Sequence, residues 1–267
     1  MLKLINVKTN LLDYLIEEKN MRLKGGLYHY TQVKFAYNTN RIEGSELSED
    51  DTRYIYETNT ISTKNNESAN IDDIIETVNH FACFNYMLDT AKEPLSENII
   101  KEYHRLLKQG TSDSRKCWFN VGEYKARDNI VGDMETTPVP KVKGEIKKLL
   151  SAYVKKDNIT INDIIDFHYN FEKIHPFQDG NGRVGRLVMF KECLKNQITP
   201  FIILDEKKHF YYRGLKEYKN TSGYLIDTCL HEQDTYKDVM RYFKINAPGI
   251  SLPSKITSQK KNGNRKI

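Results

Sequence analysis

Twelve residues constrain this chain more than any others: His175-Pro176-Phe177-Gln178-Asp179-Gly180-Asn181-Gly182-Arg183-Val184-Gly185-Arg186. They read as a loop feeding a helix start. Gly180 and Gly182 flank Asn181 and permit both positive φ and close approach of backbone to a ligand. Val184, Leu187, Val188 and Phe190 follow as an apolar helical face. A turn whose N–H groups end at a helix N-terminus is an anion site, and phosphate is its usual guest. Arg183 and Arg186, three apart, fall on one side of such a helix. Two guanidinium forks suit a polyphosphate better than a single carboxylate. Asp179 offers a hard oxygen to Mg²⁺, which favours one or two carboxylates plus phosphate oxygens. His175 has an ordinary pKa that makes it a base near neutral pH. Each part alone is bland: a turn, a solvated helix face, a structural histidine. Their crowding into one loop argues for phosphate chemistry.

The pattern His-x-Phe-x-Asp-Gly-Asn-Gly-Arg-x-x-Arg resembles the signature loop of Fic proteins, with every signature position filled. The resemblance extends more weakly from about residue 30 to about residue 245. Upstream, Thr39-Asn40-Arg41-Ile42-Glu43-Gly44 resembles the inhibitory motif of the same family, Ser/Thr-x-x-x-Glu-Gly/Asn. The resemblance implies that Glu43 pairs with Arg186 in the place of an ATP γ-phosphate, with Thr39 and Gly44 completing the motif. Glu43 is odd on its own terms, because a carboxylate in a helix's last turn meets the negative end of the dipole. Taking Arg186 from the phosphates would misplace a nucleotide, and small misplacements are costly to catalysis.

The implied fold is mostly α, a Fic-type helical bundle with a small β-hairpin flap. The expected organisation is an N-terminal helical region (1–110) with the inhibitory helix at about 31–44, then a Fic core (111–248). The core holds the flap at about 122–137 and the signature loop at 175–186; a basic, disordered tail (249–267) follows. That tail holds Lys255, Lys260, Lys261, Arg265 and Lys266 and no acid, so it accounts for the whole net charge of +5 (41 − 36). The remaining chain is neutral, and a nucleic-acid partner is disfavoured. Cys83, Cys117, Cys193 and Cys229 form no C-x-x-C pair, which argues against structural zinc. Cys83 and Cys193 read as core thiols. Residues 1–20 carry Asp13, Glu17 and Glu18 within their apolar pattern and do not read as a signal peptide, and no apolar run approaches a membrane span. A cytoplasmic location is the expectation.

In chain order, Leu2 to Lys19 reads as a helix broken by Gly25-Gly26. Thr31 is the expected cap of a helix through Ile42 that Gly44 ends. Ser48-Glu49-Asp50-Asp51 is a capping-box start. Asn70 caps a long helix with Ile71, Ile74, Ile75, Val78, Phe81, Ala82 and Phe84 inward, and His80 as a hydrogen-bonded packing residue. Ser96 starts another through Leu106 and Leu107 that Gly110 ends. Tyr124, Ile130 and Val131 suggest the hairpin. In the family this flap holds the target by β-augmentation, and the candidates here are Lys125, Arg127, Ile130 and Val131. Further helices are expected around Val142–Tyr153, Ile161–Ile174, Asp205–Lys219 and Leu225–Phe243, and residues 200–204 as a buried linker or strand. His168 reads as core or as a support behind the site, and Phe177 as the loop's anchor to the core.

The resemblance then implies an AMP transferase using ATP and Mg²⁺. Gly180, Asn181 and Gly182 with Asp179-bound Mg²⁺ would hold the α- and β-phosphates, Arg183 the β side and Arg186 the γ-phosphate. His175 would take the proton of a target Tyr, Thr or Ser hydroxyl, and Tyr211 and Tyr212 match the pair placed by the adenine. Self-AMPylation is expected, and a homodimer is compatible with a buried inhibitory helix. Three rivals stand beside this reading: removal of AMP with Glu43 orienting water, transfer of another nucleotide or phospho group, and a non-enzymatic nucleotide-sensing or DNA-binding regulator.

Overall fold

The computed structural model describes residues 10–61, 68–131 and 134–245, the side chains of 131–135 excepted. Among these residues the chain is helical: α1 (Leu11–Met21), α2 (Leu27–Ile42), α3 (Glu49–Thr58), α4 (Ile71–Asp89) and α5 (Glu97–Lys108) come first. A two-residue strand pair, β1 (Ile130–Val131) and β2 (Met134–Glu135), precedes α6 (Val139–Val154), α7 (Ile161–Ile174), α8 (Asn181–Lys195), α9 (Lys208–Glu217) and α10 (Gly223–Tyr242). The strands pair antiparallel, Ile130 opposite Glu135. The paired strands fall inside the flap expected at about 122–137 and occupy only a small part of it.

Helix α8 is the axle. Every residue from Asn181 to Leu194 is buried, and α7, α5, α4, α2 and α1 pack around it. A helix buried on all sides is normally apolar all round. This one carries Arg183, Arg186, Lys191 and Glu192, so each charge must find a partner inside the protein. Lys191 donates to Glu93 O (2.7 Å) and Glu192 Oε1 (2.7 Å), and Tyr153 donates to Glu192 Oε2 (3.1 Å). The two arginines are satisfied at the other end of the helix, in the site described below.

Local signals set several boundaries as read. Ser48 and Asp51 form a reciprocal capping box, Asn70 accepts from Asp72 N, and Ser96 from Ile99 N. Gly44, at φ 104°, follows α2. Thr160 and Asp163 cap α7. Cys83 and Cys193 are buried, and Phe177 is fully enclosed.

Three expectations change. Helix α2 begins at Leu27, not near Thr31, because the Glu18 carboxylate of α1 accepts from Tyr28 N (2.7 Å) and caps it from outside. Thr31 is instead an interior residue bonded to Tyr236 (2.7 Å). On α4, Ile71, Val78 and Ala82 face outward, and Thr77, Asn79 and His80 turn in. Asn79 spends its amide on Leu107 O (3.0 Å) and Gln109 O (2.7 Å), tying α4 to the end of α5. His80 is enclosed with neither ring nitrogen hydrogen-bonded among the described residues, its ring edge-on to Phe35 at 5.0 Å. Residues 200–204 take the linker rather than the strand alternative, and Asp205–Lys207 form a 3-10 turn that leads straight into α9. The expected first helix from Leu2 is described only from Leu11, and the expected tail lies outside the described residues. No helix among the described residues is long and apolar enough to cross a membrane.

Candidate active site

The site forms where α7 ends and α8 begins. His175 closes α7 in the left-handed region (φ 52°, ψ 63°), its N–H bonded to Phe171 O (2.9 Å). A non-glycine residue there carries strain that the surrounding contacts must hold. Asn181 supplies part of that hold: its Oδ1 accepts from Phe177 N (2.8 Å) and its Nδ2 donates to Phe177 O (2.9 Å). The amide therefore shapes the loop. Beneath it the Phe177 ring stacks on His104 at 4.0 Å and 2°.

Gly180 (φ 81°) is the N-cap of α8, and no side chain caps that helix. The first N–H groups of α8 are thus left for a ligand. A Cβ at Gly182 would collide with the Glu43 carboxylate and stand 2.9 Å from Arg186 Nη1. The glycine is required by a side chain more than a hundred residues away, not by its own φ.

Arg186 is 2 % exposed and reaches α2: Nη2 donates to Glu43 Oε1 (2.5 Å) and Thr39 O (3.1 Å), Nε to Thr39 Oγ1 (2.6 Å). The Glu43–Arg186 contact expected from the motif is present. Arg183 is equally buried and pairs with Glu76 of α4 and with Asp179 Oδ2 (2.9 Å). Lys108, the last residue of α5, places Nζ 2.6 Å from the same Oδ2 and 2.5 Å from Glu76 Oε1. Burial would raise the Asp179 pKa, but Arg183 and Lys108 outweigh it and hold the carboxyl well below its usual range. Lys108 and Glu76 escaped the sequence reading, because they lie on helices far from the loop in sequence. Only their buried registers beside inward polar residues of α4 and α5 could have marked them.

His175 is lowered to about 4, first by burial and then by the Lys125 ammonium. It is therefore neutral at pH 7, the form that accepts a proton. Lys125 is buried: its Nζ donates to Asn129 Oδ1 (2.7 Å) and Thr136 Oγ1 (2.6 Å), and its N–H to Pro176 O (2.9 Å). Lys125, one of the four flap candidates, thus ties the hairpin base to the signature loop. Arg127 lies over Trp118 (5.0 Å), and Ile130 is 69 % exposed at the hairpin. The Val131 side chain lies outside the described residues.

The tyrosine pair divides. Tyr211 is buried, its hydroxyl 2.6 Å from His168 Nε2 and 3.5 Å from Arg186 Nη1, so its ring is not free to stack on a base. Tyr212 is 45 % exposed and donates to Ile42 O (3.0 Å), one residue before Glu43. Glu172, also missed, lies behind Gly185 with His168, and burial, aided by Glu43, raises it to about 8.

Residues 94–193 match the Fic/DOC family model. The chain is 27 % identical over 194 residues to the protein adenylyltransferase Fic of Nematostella vectensis, covering 68 % of this chain and 42 % of that one. It is 29 % identical over 133 residues to a probable protein adenylyltransferase of Aquifex aeolicus, covering 48 % and 38 %. It thus spans less than half the length of these curated relatives. A Fic domain containing signaling protein of Bacteroides thetaiotaomicron superposes with a TM-score of 0.69 at 20 % identity, over 92 % of this chain and 100 % of that one. A fragment of Fic-1 from C. elegans gives 0.67 at 20 % identity, over 87 % and 71 %. Signature loop, helical fold and family match agree: residues 94–193 carry a Fic/DOC domain, and the chain has the fold of the solved Fic structures.

Proposed function

We propose that this protein transfers AMP from ATP to a hydroxyl of a protein target, and that Glu43 restrains the reaction. The observation that carries the reading is the uncapped N-terminus of α8, flanked by a neutral His175 and two buried arginines. The N–H groups of Asn181 and Gly182 would cradle phosphate oxygens, and Arg183 and Arg186 would spread charge over the β- and γ-phosphates. His175 takes the proton of the attacking Tyr, Thr or Ser hydroxyl as its oxygen bonds the α-phosphorus, and pyrophosphate leaves. Positioning and charge stabilisation carry such a reaction more than covalent chemistry does. The exposed hairpin edge at Ile130 offers backbone to an extended target segment. Tyr212, rather than Tyr211, is the aromatic free to meet the adenine.

Asp179 fits a divalent cation delivered with the nucleotide. Its carboxylate is 43 % exposed, and no group of three or more His, Cys, Asp or Glu side chains among the described residues makes a cage. When bound, Mg²⁺ would neutralise phosphate charge. Restraint follows from geometry: with Arg186 held by Glu43 and Thr39, the γ-phosphate loses its guanidinium, and the α-phosphorus is placed away from in-line attack.

The test is incubation of wild type, Glu43→Gly and His175→Ala with α-labelled ATP, reading AMP addition to the protein itself and to lysate proteins by mass spectrometry. Transfer should rise in Glu43→Gly and vanish in His175→Ala. No AMP addition by Glu43→Gly sinks the transferase reading, and an equal yield from wild type sinks the restraint.

A further inference from the structure

The cluster under the start of α8 is balanced before any ligand arrives. Lys108 is 2 % exposed, and its stem lies 3.6 Å from where a Cβ on Gly180 would stand. Its ammonium meets Asp179 Oδ2 at 2.6 Å, Glu76 Oε1 at 2.5 Å and Asp113 Oδ2 at 3.5 Å. Arg183 sits on the same Asp179 oxygen (2.9 Å) and on Glu76, and Lys116 sits on Asp113 (2.5 Å). Three carboxylates thus face three cations. A divalent cation placed on Asp179 would add two charges that nothing in this cluster offsets, beside a fixed ammonium. Nucleotide phosphates would bring the missing negative charge with them. Glu76 and Asp113 also give Lys108 partners to keep when Asp179 turns to a metal.

We propose that Lys108 makes metal binding at Asp179 conditional on nucleotide: it neutralises the carboxylate in the free protein and repels a divalent cation that arrives alone. The inference rests on the proposed nucleotide site and assigns Lys108 as a positioning residue within it. Its consequence is that free metal does not occupy the site ahead of the nucleotide–metal complex.

Mn²⁺ serves as the probe, titrated into the intact protein and followed by electron paramagnetic resonance, first alone and then with a non-hydrolysable ATP analogue. Wild type should bind Mn²⁺ much more weakly alone than with the analogue. Lys108→Gln keeps hydrogen bonds to the carboxylates but not the charge; it should bind Mn²⁺ alone roughly tenfold more tightly, the scale of one unit charge at a partly screened distance. Lys108→Arg should behave as wild type. A merely structural lysine predicts a lower melting temperature in the Gln variant with Mn²⁺ affinity unchanged, and that result overturns the inference. Should the Gln variant not fold, wild type still decides, because equal Mn²⁺ affinity with and without the analogue overturns it too. AMP transfer is not read here, so a chain that binds Mn²⁺ as described yet transfers nothing would sink the transferase and leave Lys108's role standing.

Discussion

The two signature arginines are three residues apart on one buried helix, yet they are held in different ways. Arg183 is clasped by Glu76 from the second turn of α4 and by Asp179 one turn away, with Lys108 bridging both carboxylates. The Glu76 side chain is 14 % exposed, and α4 is packed on α5, α2 and α8. Arg186 is clasped by Glu43, which lies just past the end of α2, is 24 % exposed and is followed by a glycine at φ 104°. The first clasp is built into the helical layers. The second hangs on a helix terminus, where backbone is cheapest to move. Chemically alike pairs would thus serve, under the proposed function, as scaffold at one arginine and as latch at the next.

Neutralising each carboxylate should separate the two. Glu76→Gln leaves Arg183 and Lys108 short of a buried counter-charge, and breaking such a pair costs about 3–5 kcal/mol. Urea unfolding should show that loss, with no gain in AMP transfer. Glu43→Gly also takes a carboxylate from a buried arginine, but Thr39 keeps two hydrogen bonds to Arg186 and the vacated place is the more exposed, so the loss of stability should be smaller, and transfer should rise. If Glu76→Gln instead activated the protein at little cost in stability, both clasps would be latches and the contrast would be gone.

The Glu43–Arg186 contact was legible because it is written as a contiguous motif, Thr39 to Gly44, whose partner lies in another contiguous motif. The scaffold clasp was not, because Glu76 and Lys108 belong to two separate helices and look like ordinary solvated positions. Periodicity misled for a related reason. On α4 it favoured Ile71, Val78 and Ala82 as the inner face, but Asn79 must reach the end of α5 and Thr77 meets Asn40 (3.3 Å), so the polar side turned in. The start of α2 was missed because its cap is Glu18, a tertiary partner. Tyr211 and Tyr212 are indistinguishable in sequence, and only the placement of α9 decides which ring is covered.

That division of the tyrosines gives the next contrast. Tyr212→Ala should raise the KM for ATP severalfold, since base–aromatic stacking is worth about 1–3 kcal/mol, and leave the fold intact. Tyr211→Phe should act on the latch side: it removes the hydroxyl shared by His168 and Arg186, costing about 1–3 kcal/mol of stability. Unfolding curves beside nucleotide titrations tell the two apart, and a KM effect confined to Tyr211 would reverse the assignment.

The smallest effect expected concerns the base itself. His175 opens the same signature stretch that carries both arginines, but its pKa is lowered first by burial and then by Lys125, from the hairpin side. A base works in its neutral form, so activity should hold from neutral pH downward and fall as pH drops through about 4, the folded-state value. Lys125→Gln keeps donors for Asn129 and Thr136 while removing the charge. The His175 pKa should then move up toward its ordinary 6.5, though not reach it, because burial remains the larger cause. The acid limb of kcat/KM, measured in a Glu43→Gly background so that the latch does not contribute, should shift to higher pH by less than about one unit. Superimposable limbs in the two proteins would mean that the hairpin lysine holds the loop by its hydrogen bonds alone. In that case its charge, unlike that of Lys108 on the far side of the loop, would have no part in tuning the site.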